Sequence, residues 1–247
     1  MPGPFLFYIK NSIKLRLKFY VNIFIVEEHY ILKNIENILK EIPDYVHLIA
    51  VAKGRSLKEI ELCIEGGIKI LGINYVQQGE KIYPFLKDRA DFHLIGHLQT
   101  NKIKKALNIF NMIQTIDSIE TVKEIQNRLK SEDRKMPILI EVNIANEKNK
   151  FGVPPENLFD FFSEISKFDK ILIMGLMTIG PNTNDENIIR KYFKKTYNLY
   201  NQLRNYKSAN VNFKYLSMGM SDSYKIAIDE GSNMIRIGRK IFLEQNW

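Results

Sequence analysis

An apolar run that ends on a lysine is the first feature with chemical potential. Residues 46–52 read VHLIAVA and are followed by Lys53 and Gly54. Such a run is typical of a strand buried on both faces. In a shielded site the charged form of a lysine is desolvated, its pKa falls, and the neutral amine can attack an aldehyde to form a Schiff base. The alternative is a lysine that reaches solvent or pairs with an acid, and position alone favours this alternative.

Two segments near the end of the chain combine glycine with hydroxyl groups. They are SMGMS at 217–221 and RIG at 236–238. Small residues there leave backbone N–H groups free to hold an anion such as phosphate. The alternative is that the glycines only make turns. A lysine, a phosphate-binding segment and an arginine together suggest pyridoxal 5'-phosphate, for which the candidate phosphate residues are Ser217, Met218, Gly219, Ser221, Gly238 and Arg239.

The elements that must position these residues alternate along the chain. Helix-like segments separate eight short apolar runs, which lie at 46–53, 68–75, 91–96, 112–117, 137–144, 171–180, 213–218 and 234–242. Nearly all-apolar strands indicate a parallel sheet covered on both faces. We therefore predict a single (β/α)8 TIM-type barrel over 26–247, with an extra N-terminal helix at 30–42. A doubly wound open sheet is the alternative, but neither GxGxxG nor GxxxxGK[ST] occurs.

In such a barrel, chemistry is carried at the C-terminal ends of the strands. Lys53 and Arg236 both belong to predicted strands that end there. His93 lies inside the third strand, where a histidine is more often a satisfied core residue than a base, and we keep it as a candidate cofactor contact. The other polar residues at predicted strand ends are Asn74, Tyr75, Asp117, Asn143 and Thr178.

Composition excludes several classes of protein. The chain has 247 residues, 45% of them hydrophobic, which is ordinary for a globular protein. One cysteine, Cys63, excludes a disulfide framework, and none of the four histidines is paired at a ligand spacing, so we predict no metal site. The net charge of +8 admits nucleic acid, but no nucleic-acid-binding signature occurs, and we expect no nucleic-acid partner.

The first 25 residues differ from the rest. They mix aromatic and aliphatic residues with four basic ones and contain no acidic residue. The charges interrupt the segment too often for a membrane span, so we expect no membrane association. The segment is either an organelle-type leader or an appendage. We predict a cytoplasmic protein, with an organelle as the alternative if the segment is a leader.

Eight motifs in order resemble the pyridoxal phosphate homeostasis protein family, which is similar to the N-terminal domain of alanine racemase. The resemblance runs from about residue 27 to the end. Its motifs are AVAK at 50–53, GINYVQQ at 72–78, FHLIGHLQTNK at 92–102, IDS at 116–118, VNIANEKNKFG at 142–152, GLMTIG at 175–180, LSMGMS at 216–221 and MIRIG at 234–238.

The resemblance implies roles for individual residues. Lys53 would be the Schiff-base lysine, Asn74 would lie near the cofactor ring and its hydroxyl, and Arg236 would face the pyridine nitrogen. Ser217, Ser221, Gly238 and the backbone around them would hold the phosphate. Lys102 and Lys150 match family lysines near the mouth of the barrel.

Five positions depart from the family pattern. Ala52 stands where the family has a hydroxyl residue, Ile73 where it has Glu, and Ser223 where it has Asp. Leu243 replaces a glycine, and Arg239 replaces the Ser or Thr that continues the phosphate segment. The guanidinium of Arg239 either replaces that hydroxyl with a charged contact or points away to solvent.

The resemblance and the chemistry of arginine together predict a carrier rather than an enzyme. Arg236 stays protonated, so it disfavours protonation of the pyridine nitrogen and makes the ring a poorer electron sink. In the related racemases a further domain supplies a second acid or base, and we expect none here. We therefore predict a monomer that binds pyridoxal 5'-phosphate and related B6 vitamers and supplies PLP-dependent apo-enzymes. A small PLP-dependent amino-acid racemase or lyase is the alternative.

Overall fold

Eight parallel strands close into a barrel in chain order in the computed structural model, which describes residues 30–243. β1 pairs with both β2 and β8, which completes the ring. The predicted (β/α)8 barrel is confirmed, and the open-sheet alternative is wrong. The strands are β1 His47–Val51, β2 Ile70–Ile73, β3 Asp91–Leu94, β4 Met112–Ile116, β5 Met136–Glu141, β6 Ile171–Met177, β7 Val211–Ser217 and β8 Met234–Ile237.

Helices follow the strands around the outside. A first helix, α1, covers 30–41 and matches the predicted extra N-terminal helix. The helix between β3 and β4 is a single turn, and a 3-10 turn at Thr100–Lys102 precedes it. The segment 1–25 lies outside the described residues. The remaining helices are α2 Leu57–Glu65, α3 Val76–Leu86, α4 Ile103–Ala106, α5 Ile119–Leu129, α6 Leu158–Ile165, α7 Glu186–Leu203, α8 Tyr224–Asp229 and α9 Arg239–Phe242.

Local sequence signals fix where the helices begin. The Ser56 side chain accepts from the Glu59 backbone N–H, and the Ser56 backbone N–H donates to the Glu59 carboxylate, which makes a complete capping box on α2. Asp185 caps α7 by accepting from two backbone N–H groups of the first turn. These caps place the helices directly after the loops that carry the polar strand ends.

The strands bury two separate apolar layers. The larger one lies between the barrel and the helices, and the smaller one fills the barrel interior. The interior layer consists of Ile49, Ile70, Met112, Leu139, Met174, Met177 and Met234. Alternating residues of each strand face the two layers. Residues that follow the interior layer on the same face therefore point into the barrel near the C-terminal ends of the strands, called here the upper barrel. Within 30–243, no helix is both long and apolar enough to cross a bilayer.

Candidate functional site

A chain of buried hydrogen bonds crosses the upper barrel interior. Arg236 Nη1 lies 2.7 Å from Ser217 Oγ, and Ser217 Oγ lies 2.7 Å from Gln114 Oε1. The Gln114 amide nitrogen lies 2.9 Å from His93 Nδ1. Arginine has donors alone, so Ser217 must accept from it and donate onward to Gln114. The amide of Gln114 then donates to His93 Nδ1.

This polarity fixes the state of His93. Its Nδ1 accepts a hydrogen bond, so the ring proton is on Nε2. The ring is buried, and burial, helped by the charge of His47, lowers the pKa of His93 to about 3. His93 is therefore a neutral core histidine with one nitrogen satisfied by Gln114. Through Gln114, His93 supports the polar side chains just below the C-terminal ends of the strands, which form the rim of the barrel. The sequence analysis did not single out Gln114.

Arg236 is a buried cation at the top of this chain. It is 4% exposed, and its Nη2 donates to the Thr178 carbonyl at 2.9 Å. Burial lowers the pKa of Arg236 to about 10, while Glu141 acts in the opposite direction. The guanidinium is thus still charged at neutral pH, and two elements other than its own strand hold it in place.

A second buried titratable group, Glu141, faces the same space. Glu141 ends β5 and is 4% exposed. Burial and the nearby charge of Asp117 raise the pKa of Glu141 to about 7, and the charge of Arg236 lowers it. The sequence analysis missed this residue. The sequence nevertheless points to Glu141, because a glutamate inside a buried apolar run such as PILIEVNI is rare unless the carboxyl has a charged partner.

Lys53 lies just beyond the end of β1 and is exposed. The register pairs Ala50 with Ile237 of β8, so the loops that follow these strands are neighbours. A Cβ built on Gly238 would lie 3.4 Å from Val51 Cβ. The rim therefore brings Lys53 beside the segment after β8, and its exposure agrees with the alternative of a lysine that reaches solvent.

Asn74 follows β2 and has an unused polar atom. Its Oδ1 is buried and has no hydrogen-bond partner, which is rare for a buried acceptor. Asn74 also lines a cavity of about 430 Å³ at the rim, together with Lys102 and the ring of Phe151. Phe151 stacks on His97 with ring centroids 3.9 Å apart. Asn74 is therefore a buried acceptor without a partner, next to a cavity at the rim.

The segment after β7 needs glycine at one position. Gly219 has φ +93°, and a Cβ there would lie 2.6 Å from Ala227 Cβ. The Gly219 carbonyl accepts from the Arg236 backbone N–H, and Ser221 Oγ accepts from the Lys240 backbone N–H. Both contacts join the segment after β7 to β8 and α9. The two predicted phosphate segments therefore lie side by side.

Two of the predicted phosphate contacts, Met218 and Arg239, have side chains that point away from the predicted phosphate site. Met218 is fully buried in the outer layer, and its backbone N–H and carbonyl are bonded to Met234 and Ser232. It follows Ser217, which faces the interior, so strand alternation turns the Met218 side chain away from the mouth. Arg239 is exposed and pairs with Asp222. The Arg239 side chain therefore points to solvent, as the second of its two alternatives predicts, and pairs there with Asp222.

Metal ligands are not assembled in this structure: within the described chain, no three His, Cys, Asp or Glu side chains could hold an ion together. Cys63 is buried, and burial raises the pKa of its thiol to about 12. Its thiol is therefore not available as a nucleophile at neutral pH.

Comparison with known proteins shows the family of this chain. The family described as alanine racemase, N-terminal domain, matches residues 26–245. A pyridoxal phosphate homeostasis protein of Aquifex aeolicus is 38% identical over 182 residues, which are 73% of this chain and 79% of that protein. The protein of the same name from Helicobacter pylori is 36% identical over 202 residues, 81% of this chain and 88% of that one.

Solved structures share the fold. PipY of Synechococcus elongatus, solved with PLP bound, has a TM-score of 0.79 and 26% identity, covering 86% of this chain and all of its own. An alanine racemase of Clostridium difficile has a TM-score of 0.72 at 14% identity, with 90% of this chain and 60% of the racemase covered, and shows the barrel fold alone. The resemblance found in the sequence is confirmed: this chain belongs to the pyridoxal phosphate homeostasis protein family.

Proposed function

We propose that this protein binds pyridoxal 5'-phosphate reversibly and acts in its homeostasis as a carrier. The observation that carries the proposal is the buried Arg236, held by Ser217 and Thr178 directly beneath the rim. A buried cation costs free energy unless hydrogen bonds and negative charge offset it, and an anionic or electron-rich ligand would supply part of that compensation. The PLP-bound relative PipY has the same fold, which supports this choice of ligand.

The residues present fit the cofactor. The orphaned Asn74 Oδ1 offers an acceptor for a ring hydroxyl. The adjoining segments with Gly219, Ser221 and Gly238 are the proposed phosphate site, because the buried Ser217 hydroxyl already donates to Gln114. When bound, the cofactor supplies an aldehyde that condenses with an amine and loses one water. The amine we assign is that of Lys53, whose exposure allows reversible attack and release.

The same geometry favours a carrier over an enzyme. Arg236 is protonated throughout the neutral range, so it can donate to the pyridine nitrogen but cannot accept a proton from it. A ring that stays unprotonated is a poor electron sink. The relatives from Aquifex aeolicus and Helicobacter pylori are named as homeostasis proteins, which also supports a role without turnover.

An absorbance titration tests the proposal. Added pyridoxal 5'-phosphate should give an imine band in the native protein, and borohydride reduction followed by peptide mass spectrometry should find the cofactor on Lys53. Lys53→Ala should abolish the band. Lys69→Ala is the matched control, because Lys69 is exposed and precedes β2 at the opposite end of the barrel. A band that survives in Lys53→Ala would show that the assignment is wrong.

The alternative of a small racemase or lyase has its own readout. Incubation with single enantiomers of amino acids in deuterated water should leave the α-carbon unlabelled if the protein is a carrier. Steady label uptake that depends on Lys53 would instead identify an enzyme.

The proposal extends to partners and location. PLP-dependent apo-enzymes are the proposed recipients, and transfer would appear as recovery of activity in a recipient mixed with the loaded protein. A monomer is proposed because the candidate residues all come from one barrel, and light scattering would test it. A cytoplasmic location is supported by the lone, buried Cys63, which suits a reducing compartment.

A further inference from the structure

Glu141 lies in the barrel interior, on the side of the sheet that carries the proposed site. Ile140 and Val142 belong to the outer layer, whereas Leu139 belongs to the interior layer. Alternation along β5 therefore turns Glu141 inward. The register pairs Glu141 with Met177, and Met177 with Ser217. The carboxyl thus lies at the level of the serine that holds Arg236.

Two charged groups act on this carboxyl. Asp117, which follows β4, repels its ionised form, and Arg236 from β8 attracts it. On the other side, β6 contributes the apolar Met177 at the paired position. Within 30–243, Glu141 takes part in no ion pair with a nitrogen within 4.0 Å, so its charge acts on Arg236 through space.

We propose that Glu141 is a positioning residue that sets the net charge beneath the cofactor ring. When it is protonated, the charge of Arg236 is uncompensated, and when it is ionised, the two charges cancel. This inference rests on the proposed function, since it concerns how Arg236 attracts the bound ring.

The consequence is a pH-dependent affinity for cofactor. Pyridoxal 5'-phosphate is anionic at its phosphate and ring oxygen, so a positive barrel interior attracts it and a neutral one attracts it less. Burial keeps the Glu141 carboxyl partly protonated near neutrality. Ionisation of Glu141 as pH rises should therefore weaken binding. Because linkage is reciprocal, binding of cofactor should in turn cause Glu141 to take up a proton.

The test compares four proteins in titrations with pyridoxal 5'-phosphate from pH 6.0 to 8.5 at constant ionic strength. We expect the native affinity to fall about 3- to 10-fold more than that of Glu141→Gln, as one charge at a high effective dielectric implies. Asp117→Asn removes the repulsion and should move the midpoint to lower pH. Glu164→Gln is the control, because Glu164 is an exposed carboxyl paired with Lys167 on α6, and it should follow the native profile.

Two further measurements separate the causes. Calorimetry in buffers of different ionisation enthalpy should show proton uptake on binding to the native protein at pH 7.5 and less uptake in Glu141→Gln. Titration with pyridoxal, which has no phosphate to titrate, should preserve the difference between these two proteins.

Each outcome decides one point. Identical pH profiles and equal proton uptake in the native protein and Glu141→Gln would overturn the inference, while Lys53-dependent binding would leave the proposed function standing. If no Lys53-dependent binding exists at any pH, the proposed function itself fails. If Glu141→Gln does not fold, the midpoint of Asp117→Asn decides: a shift to lower pH supports the role of Glu141, and an unmoved midpoint contradicts it.

Discussion

Ser217 joins two buried groups that need opposite partners. It accepts from the Arg236 guanidinium and donates to the Gln114 amide oxygen. Ser217→Ala leaves both groups without this partner in a place that water reaches poorly. We expect a loss of about 1–3 kcal/mol in the free energy of unfolding, because orphaned buried polar groups carry their desolvation cost. Urea denaturation of the protein without cofactor would measure it.

A matched serine controls for the substitution itself. Ser166 is on the surface after α6 and bonds the Ser163 carbonyl, so Ser166→Ala should change stability by no more than about 0.5 kcal/mol. Equal losses for the two variants would show that the buried chain contributes nothing particular.

Arg239 and Asp222 allow the phosphate contact to be tested. The pair is exposed on both sides, so breaking it should change stability by about 0–1 kcal/mol. Because Asp222 holds the guanidinium, Arg239→Ser should change the affinity for pyridoxal 5'-phosphate by less than about 3-fold. Asp222→Asn should release the guanidinium and tighten binding through a charged phosphate contact. Fluorescence titration at low salt would measure both, and a large loss in Arg239→Ser would contradict this assignment.

Individual residues differ in how far the sequence revealed them. Asp117 and Thr178 were found because they lie at or near the ends of predicted apolar runs, and Arg236 because it stands close to Gly238. Gln114 and Glu141 were missed because each lies within its predicted run, at 112–117 and 137–144. A site analysis restricted to strand ends passes over polar residues that support the rim from below. The exposure of Lys53 agrees with the alternative that its position at the end of an apolar run favoured.

At the scale of elements, the segment after β7 depends on one left-handed residue. Gly219→Ala would place a Cβ 2.6 Å from Ala227 Cβ and 2.9 Å from Tyr224 Cα. Strain from positive φ adds about 1–2 kcal/mol, and the collision with α8 adds about 1–3 kcal/mol. We expect a total loss of about 2–5 kcal/mol in stability, together with weaker phosphate binding as the segment moves.

Gly54 separates the two causes. It also has a positive φ, +73°, but a Cβ there would meet nothing within 4 Å. Gly54→Ala should therefore lose only the conformational part, about 1–2 kcal/mol. Thermal or urea unfolding of both variants would show the difference, and equal losses would mean that α8 yields to the added methyl group.

The strands were predictable because each combines apolar composition with an enclosing pair of loops. Each of the eight predicted runs overlaps a strand of the barrel, although β5 begins one residue and β7 two residues before the predicted run. The prediction for the last run, 234–242, is wrong in its second half, because β8 ends at Ile237 and α9 follows. Helix lengths were less predictable, as α4 shows. The pattern NKIKKALNIF at 101–110 suits a helix, yet the regular α-helix is limited to Ile103–Ala106. Residues 107–110 instead lead into β4, and Leu107, Ile109 and Phe110 are buried in the outer layer. Apolar spacing records burial, and burial alone does not set where a helix ends.

At the scale of the whole molecule, His93 and Glu141 couple stability to pH with opposite signs. His93 has a folded pKa of about 3, below its unfolded value of about 6.5. As pH falls below 6.5, the unfolded state takes up a proton that the folded state does not, so stability is lost. Glu141 has a folded pKa of about 7, above its unfolded value of about 4.3. Its contribution is fully present below 4.3 and is lost as pH rises to 7.

Between pH 5 and 6.5 the two contributions to stability change in opposite directions with pH. Removal of one group should therefore reveal the pH dependence that the other group causes. Glu141→Gln should steepen the rise of stability with pH and, at pH 8, stabilise the protein by on the order of 1–3 kcal/mol, because no buried charge need form. His93→Gln should flatten or reverse the rise over the same interval. Urea unfolding of the cofactor-free protein at pH 5, 6, 7 and 8 would measure these slopes. Because slopes rather than absolute stabilities are compared, the free energy of the hydrogen bond lost in each variant largely cancels. Parallel curves of stability against pH for all three proteins would contradict the opposed titration of His93 and Glu141.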